Sequence, residues 1–397
     1  MSAPPPTRTG SVLLVAAAII LAQLGLGGVY AWSTYVPGLH ARYGLDLFHT
    51  QAVFGTVFAV FVAAMLGVRQ VLARWPPAAA LAVAAASYAA GHLLAWAGQG
   101  NFALLLLGIG GLAAFGIGLG YGTALTVMNG WLPQRPGLAT ALAVTGFGGG
   151  SIVQALLGEW LLARGHEALE ALALIGVGAA LAVGAAAFVV RRPPQPAPAA
   201  SAAPATTLAG PWWPLSLAMG CATGSGLLLI GMLKPLMQEA GAAASVVHLG
   251  VALLAGGNLS GRLLWGAACD AWGARAALAA PLLLAVTALA LPAAFRAPPA
   301  LALTAIIVYG AAFGACFVIF ASLCAQQWGA QGITRVYPRV FTGYGLAGLL
   351  IPASGGWLMD RLHSPLLACD LAALLAGAAA LIVGGWRWRL SRGAAPR

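Results

Sequence analysis

Arg262 stands inside "GGNLSGRLLWGAACD", residues 256–270, an apolar, glycine-rich run that carries no other charge until Asp270. A guanidinium keeps its proton at ordinary pH and presents a planar fork that takes both oxygens of a carboxylate at once. Such a group suits anion binding and cannot shuttle protons. Four residues earlier, on nearly the same helical face, stands Asn258, an amide that hydrogen-bonds but cannot neutralise a charge. A cation within an apolar helix normally faces a cavity and finds an anion, yet the neighbouring runs offer no evident carboxylate for Arg262. Two readings stand: the side chain snorkels to the membrane surface or latches a helix end, or it holds a transported anion. The residue type and its surroundings favour the second.

Other side chains fit a cavity around an anion. Tyr30, Trp32, Tyr35, Tyr121, Phe317 and Phe320 supply aromatic surface, and a phenol donates a hydrogen bond to a carboxylate while presenting an apolar ring. His248 lies fourteen residues before Arg262, close to the same face, and reads either as a titrating group or as plain polar lining. Lys234, the only lysine, reads equally as an attractor of anions at the outer mouth or as a snorkelling interface residue. The five cysteines show no CxxC spacing, so neither a disulfide framework nor a metal site is expected. No Ser/His/Asp set or paired-carboxylate cluster is recognisable. The residues therefore point away from an enzyme and call for no cofactor.

The elements that must position these residues are membrane helices. With 61% hydrophobic residues, 7% charged residues and a mean hydropathy of +0.91 over 397 residues, the chain has too little polar surface to cover a soluble globule. Its partner is the lipid bilayer. A net charge of +11 would suggest nucleic acid in a soluble chain, but here the arginines sit between apolar runs and report orientation. No nucleic-acid partner is expected. Apolar runs of about 20 residues recur at roughly 11–39, 50–73, 77–97, 102–130, 137–163, 167–190, 212–239, 243–269, 274–295, 299–327, 335–359 and 364–388. That predicts an all-α polytopic protein with twelve spans. The first run is too long for a signal peptide and shows no small-residue cleavage site, so it is expected to remain. "RRPPQPAPAASAAPATTLAGP", residues 191–211, is a Pro/Ala linker between a six-span half at 1–190 and another at 212–397. With the N-terminus inside, thirteen arginines fall on the cytoplasmic side and only Arg42, Arg164, Arg296 and Arg361 outside. Both termini are therefore expected in the cytoplasm, with the chain in the cell (inner) membrane. A monomer is the expected state.

Two six-helix halves joined by a cytoplasmic linker resemble the major facilitator superfamily, whose halves rock about a site near the membrane midplane. The end of span eight, "GAACDAWGAR" with Gly266, Asp270, Gly273 and Arg275, is similar to that superfamily's G-x-x-x-D-x-x-G-x-R loop signature. The matching loop after span two keeps Gly67 and Arg74 but has Val71 where the acid would stand. The resemblance implies a gating latch at these positions. Three further stretches, "GVYAWSTYVPGL", "GIGLGYGTALTVMNGWLPQRPGLATALAVTGFGGG" and "RVFTGYGLAGLLIPASGGWLMD", resemble the oxalate/formate antiporter family, which is related to the monocarboxylate transporters. The glycines of the second stretch allow close helix approach, and "GIGLGYG" is no nucleotide loop because it lies within a span.

That resemblance implies passage of small carboxylates and a substrate arginine at Arg262, where "NLSGR" falls at the matching place. It also favours Tyr30 and Tyr121 as cavity residues. Proton-coupled monocarboxylate transporters commonly carry an aspartate where this chain has Asn258, so exchange or facilitated passage is expected over proton symport. Oxalate exchangers add a lysine in span eleven; the corresponding position falls at or near Tyr344. One cation in place of two predicts a monoanion. A proton-coupled symporter is the near alternative, and a non-transporting sensor on a transporter fold the distant one.

Overall fold

The computed structural model describes residues 9–132, 136–193, 211–272, 274–331, 336–364 and 366–393; within these, the side chains of 9–11, 136–141, 144–145, 266–267, 270–272, 274–276, 325–326, 329–331 and 387–393 are not described. The described residues are helical almost throughout, with no strand among them, and they make twelve passes. Pass one is α1 (Thr9–Leu26), a 3-10 stretch (Gly27–Thr34) and the short α2 (Val36–Tyr43). Passes two and three are α3 (Leu47–Arg74) and α4 (Pro77–Ala97). Pass four joins α5 (Phe102–Leu105), a π stretch (Leu106–Ala113) and α6 (Ala114–Trp131). Passes five to eight are α7 (Pro136–Ala163), α8 (Ala168–Val189), α9 (Trp213–Glu239) and α10 (Ala244–Trp272). The last four are α11 (Ala274–Phe295), α12 (Pro299–Gln331), α13 (Tyr337–Leu362) and α14 (Leu367–Gly393).

Local chemistry sets several boundaries. Gly44, at φ +66°, ends α2 in the left-handed region that favours glycine. Asp46 then caps α3 by accepting from the His49 backbone N–H at 2.9 Å, a contact worth about 1 kcal/mol. Pro76 and Pro77 separate α3 from α4, Pro77 filling a first-turn position where its missing N–H costs nothing. Inside α9, Met232 leaves helical geometry at φ −118°, ψ 17°, and Pro235 lacks the N–H that the Gly231 carbonyl would accept.

The outer surface is apolar, with Phe188 88%, Leu381 79% and Leu181 71% exposed, which suits acyl chains rather than water. Ten of the passes are long and apolar enough to cross a membrane on the described residues alone. The other two, α7 and α13, pack at the seam between the halves, where α13 lies on α3 and α7 on α10. The first pass, read from sequence as one apolar run, is not uniform in its helix type. The stretch after Leu26 tightens to 3-10 because Gly27 and Gly28 press on α7: the Ser151 hydroxyl donates to the Gly27 carbonyl, and Gln154 Nε2 donates to the Gly25 carbonyl at 2.7 Å.

One face of the molecule carries the start of the linker. Trp131 Nε1 donates to the Arg191 carbonyl at 3.2 Å, and Arg192 donates to the Trp75 carbonyl at 3.3 Å. The opposite, or far, face joins the halves. Asp360 of α13 accepts from the Leu47 and Phe48 N–H groups at 3.3 and 2.8 Å, placing a carboxylate on the positive end of α3. Below it the two helices touch through glycine: a Cβ on Gly55 would strike the Gly348 carbonyl, and one on Gly356 would sit 2.6 Å from the Leu47 carbonyl. Association inside a membrane relies on such close backbone approach. Gly348→Val should therefore overpack this seam at a cost of about 1–3 kcal/mol and lower the thermal unfolding midpoint in detergent. Gly377→Val, whose Cβ would meet nothing within 4 Å, should leave it unchanged; equal effects would contradict the seam.

Candidate functional site

Two glycine pairs, Gly257 and Gly261 on α10 with Gly310 and Gly314 on α12, let these helices meet backbone to backbone. A Cβ on Gly257 would lie 3.1 Å from the Ala311 nitrogen, and one on Gly310 would lie 3.1 Å from the Asn258 nitrogen. The four-residue spacing puts each pair on one face. Asn258 and Arg262 are thereby held against α12. Arg262 lies ten residues before Trp272, the end of α10, or about 15 Å along the axis.

The guanidinium is held on two sides. Its Nε donates to Asn258 Oδ1 at 3.2 Å, and its Cζ sits 4.5 Å from the centre of the Phe317 ring, a cation–π distance. Tyr30, Tyr121, Tyr344 and Tyr337 lie within electrostatic reach. No carboxylate pairs with Arg262 among the described residues. Asn258 is 1% exposed, and its Nδ2 is buried without a hydrogen-bond partner, which costs about 1–3 kcal/mol. The guanidinium and the amide thus present donors at one place, close to the Tyr30 hydroxyl, where an added oxygen acceptor could be held.

Aromatic rings from both halves enclose this point. Tyr30 Oη and Tyr344 Oη are 3.0 Å apart, residues from passes one and eleven. One hydroxyl donates to the other, and the acceptor keeps a proton of its own to donate. Tyr30 also contacts Phe58, Phe147 and Phe313 at ring centroid distances of 5.9, 6.2 and 5.9 Å. Tyr121 packs on Phe61 and Phe147, each at 5.2 Å, and Phe317 on Phe313 and Tyr344 at 5.4 and 5.2 Å.

Among the residues picked out from sequence, Arg262, Asn258, Tyr30, Tyr121, Tyr344 and Phe317 come together here. Phe320 does not: it lies on nearly the same face of α12 as Phe313 but seven residues, or about 10 Å, further along the helix, and the ring contacts with Tyr30 and Phe317 are made by Phe313. His248 is also displaced. It lies about 21 Å along α10 from Arg262, with its side chain 62% exposed and its Nδ1 3.2 Å from Glu159 Oε2. Lys234 neither snorkels nor stands free, because its Nζ bonds Glu159 Oε1 at 2.5 Å. Trp32 is buried and donates to the Thr50 carbonyl at 3.1 Å, and Tyr35 is buried beside Gly158. Of the latch positions, Gly266, Asp270 and Arg275 lie outside the residues whose side chains are described. Gly67 faces open space, and Arg74 is exposed with no ion pair among the described residues.

Sequence reasoning passed over Phe58, Phe147, Phe313, Tyr337 and Phe341. A signal existed for three of them: Tyr337, Phe341 and Tyr344 recur at steps of four and three, and Phe313 precedes Phe317 by four, both helical-face spacings. A separate cavity of about 40 Å³ lies within the first half, lined by Trp32, Tyr35, Tyr88, His92 and Gln154 among others. It does not include Arg262.

The fold and site define a membrane transporter built from two six-helix halves, and comparison with known proteins agrees. The sequence pattern of the Major Facilitator Superfamily matches residues 74–352, and the chain belongs to that family. It is 26% identical over 355 residues to YhjX, an uncharacterised MFS-type transporter of Escherichia coli (strain K12), covering 83% of this chain and 84% of that one. It is also 26% identical over 266 residues to the oxalate:formate antiporter of Oxalobacter formigenes, covering 65% of this chain and 62% of that one. Among solved structures, a partially occluded inward open form of the Escherichia coli xylose transporter XylE superposes with a TM-score of 0.72 at 11% identity, covering 94% and 97% of the two chains. A mutant form of the nucleoside transporter NupG gives 0.70 at 14%, covering 94% and 99%. At such identities these structures share the fold.

Asn258→Asp supplies the missing counter-charge one turn from Arg262. The empty protein should then melt higher, while the affinity of any anion held by Arg262 should fall about tenfold or more at pH 7, read by thermal shift and equilibrium binding. Unchanged affinity would mean that Arg262 is not the counter-charge of the bound anion.

Proposed function

We propose that this transporter carries small organic monoanions, monocarboxylates above all, by alternating access of its two halves around Arg262. The observation that carries this reading is the half-buried guanidinium with no carboxylate partner among the described residues, beside the Nδ2 of Asn258, buried without a hydrogen bond. The carboxylate takes the free edge of the guanidinium in bidentate fashion. Asn258 holds the fork in orientation through Nε and offers a second donor. The free phenolic proton of the Tyr30–Tyr344 pair offers a third. Likeness to the oxalate:formate antiporter supports a carboxylate as cargo.

Exchange or facilitated passage fits better than proton symport, because Arg262 cannot release its proton and Asn258 has none to give. Selectivity follows from charge count. Tyr344, at the position that resembles a second cation site, brings a hydroxyl rather than an ammonium, and Lys234 is already neutralised by Glu159. A dianion would keep one charge without a partner in a dry site. The arginine distribution supports placing the linker and both termini in the cytoplasm and the protein in the cell (inner) membrane.

Counterflow in proteoliposomes tests this reading. Small monocarboxylates should drive exchange and outcompete oxalate, whereas oxalate binding most tightly would overturn the single-cation argument. Arg262→Lys should recover little transport, because lysine keeps the charge without the fork; a snorkelling arginine would instead be replaced well by lysine. Cysteine probes in the 191–211 linker should react only from the cytoplasm, and labelling from outside intact cells would reverse the orientation.

A further inference from the structure

A buried ion pair joins the halves at the far face. Glu159 lies on α7 in the first half, and Lys234 lies on α9 in the second. Their Nζ–Oε1 distance is 2.5 Å, and the side chains are only 10% and 13% exposed. The second carboxylate oxygen faces His248 of α10 at 3.2 Å, so the second half engages both oxygens of Glu159. The two charges sit at matching depth: Glu159 is four residues from the end of α7 at Ala163, and Lys234 five from the end of α9 at Glu239.

Alternating access requires the far-face seam to part, and this pair spans it. In the closed arrangement the charges are nearly dry and attract strongly; once parted, each is hydrated on its own. Removing one partner leaves the other charge buried and unpaired, a penalty that opening relieves. We propose that Glu159 and Lys234 form the far-face latch of the transport cycle, whose rupture is required before that face opens. The proposal rests on the alternating-access reading but not on the identity of the cargo. It also gives the single lysine a role other than binding substrate.

The test follows Thr34→Cys in a background with the five native cysteines changed to serine, in lipid nanodiscs that expose both faces. Thr34 is 1% exposed, and its methyl lies 3.3 Å from where a Cβ on Gly158 would sit, one residue before Glu159. A bulky polar maleimide should label this cysteine slowly in the parent. Glu159→Gln and Lys234→Met should each raise the labelling rate about tenfold. The double neutral variant, Glu159→Gln with Lys234→Met, should do the same without any buried charge, and charge reversal, Glu159→Lys with Lys234→Glu, should restore slow labelling. Parent-like rates in the single or double neutral variants would overturn the latch, as would fast labelling in a folded charge-reversed protein. If charge reversal prevents folding, the double neutral variant decides alone. Carboxylate counterflow is read separately, so a failed latch leaves the anion reading standing, and absent counterflow leaves the labelling result intact.

Discussion

A half-buried guanidinium within an apolar helix, with no acid described beside it, is the constraint around which the rest of this structure is organised. Such a charge is costly in a medium of low dielectric unless something negative reaches it. The surroundings lower that cost without removing it: Asn258 accepts from Nε, and Phe317 lies beneath the plane. Neither neutralises. In the proposed function an anion from solution completes the site and supplies the missing charge.

The fold serves this site in two ways. Glycines at four-residue spacing on α10 and α12 bring backbones into contact, which fixes Arg262 and Asn258 on one rigid pair of helices. The aromatic residues come from both halves, so the Tyr30–Tyr344 contact forms only when the halves meet. The far face is held by polar bonds between the halves, Asp360 on the start of α3 and Lys234 on Glu159. Site and seams are thus parts of one mechanical arrangement, in which the distance between halves controls access to the charge.

Much of this was legible in the sequence because hydrophobic run length is a local property. The third run, 77–97, and the ninth, 274–295, coincide with α4 and α11, since proline or a break in the apolar pattern ends each one. Arg262 and Asn258 were visible for the same reason, as polar residues in an apolar run at helical spacing. What depends on tertiary approach was not legible. The 3-10 segment at Gly27–Thr34 opens on two poor helix formers, Gly27 and Gly28, but what they serve is the close approach to α7, which no local pattern shows. Lys234 looked free because its partner Glu159 lies 75 residues away on another pass. Phe320 looked equivalent to Phe317, but Phe313, one turn the other way along α12, makes the contacts with Phe317 and Tyr30.

The most direct measurement of the central claim is carboxylate-dependent thermal stabilisation of purified wild-type protein beside Arg262→Ala. A ligand that completes the site stabilises the native state by an amount that grows with its concentration over the dissociation constant. Wild-type protein should melt progressively higher as a small monocarboxylate is added. Arg262→Ala should melt at or above the wild-type temperature when empty and show no response to the same additions. An Arg262→Ala protein that is stabilised by carboxylate as strongly as wild type would contradict the account.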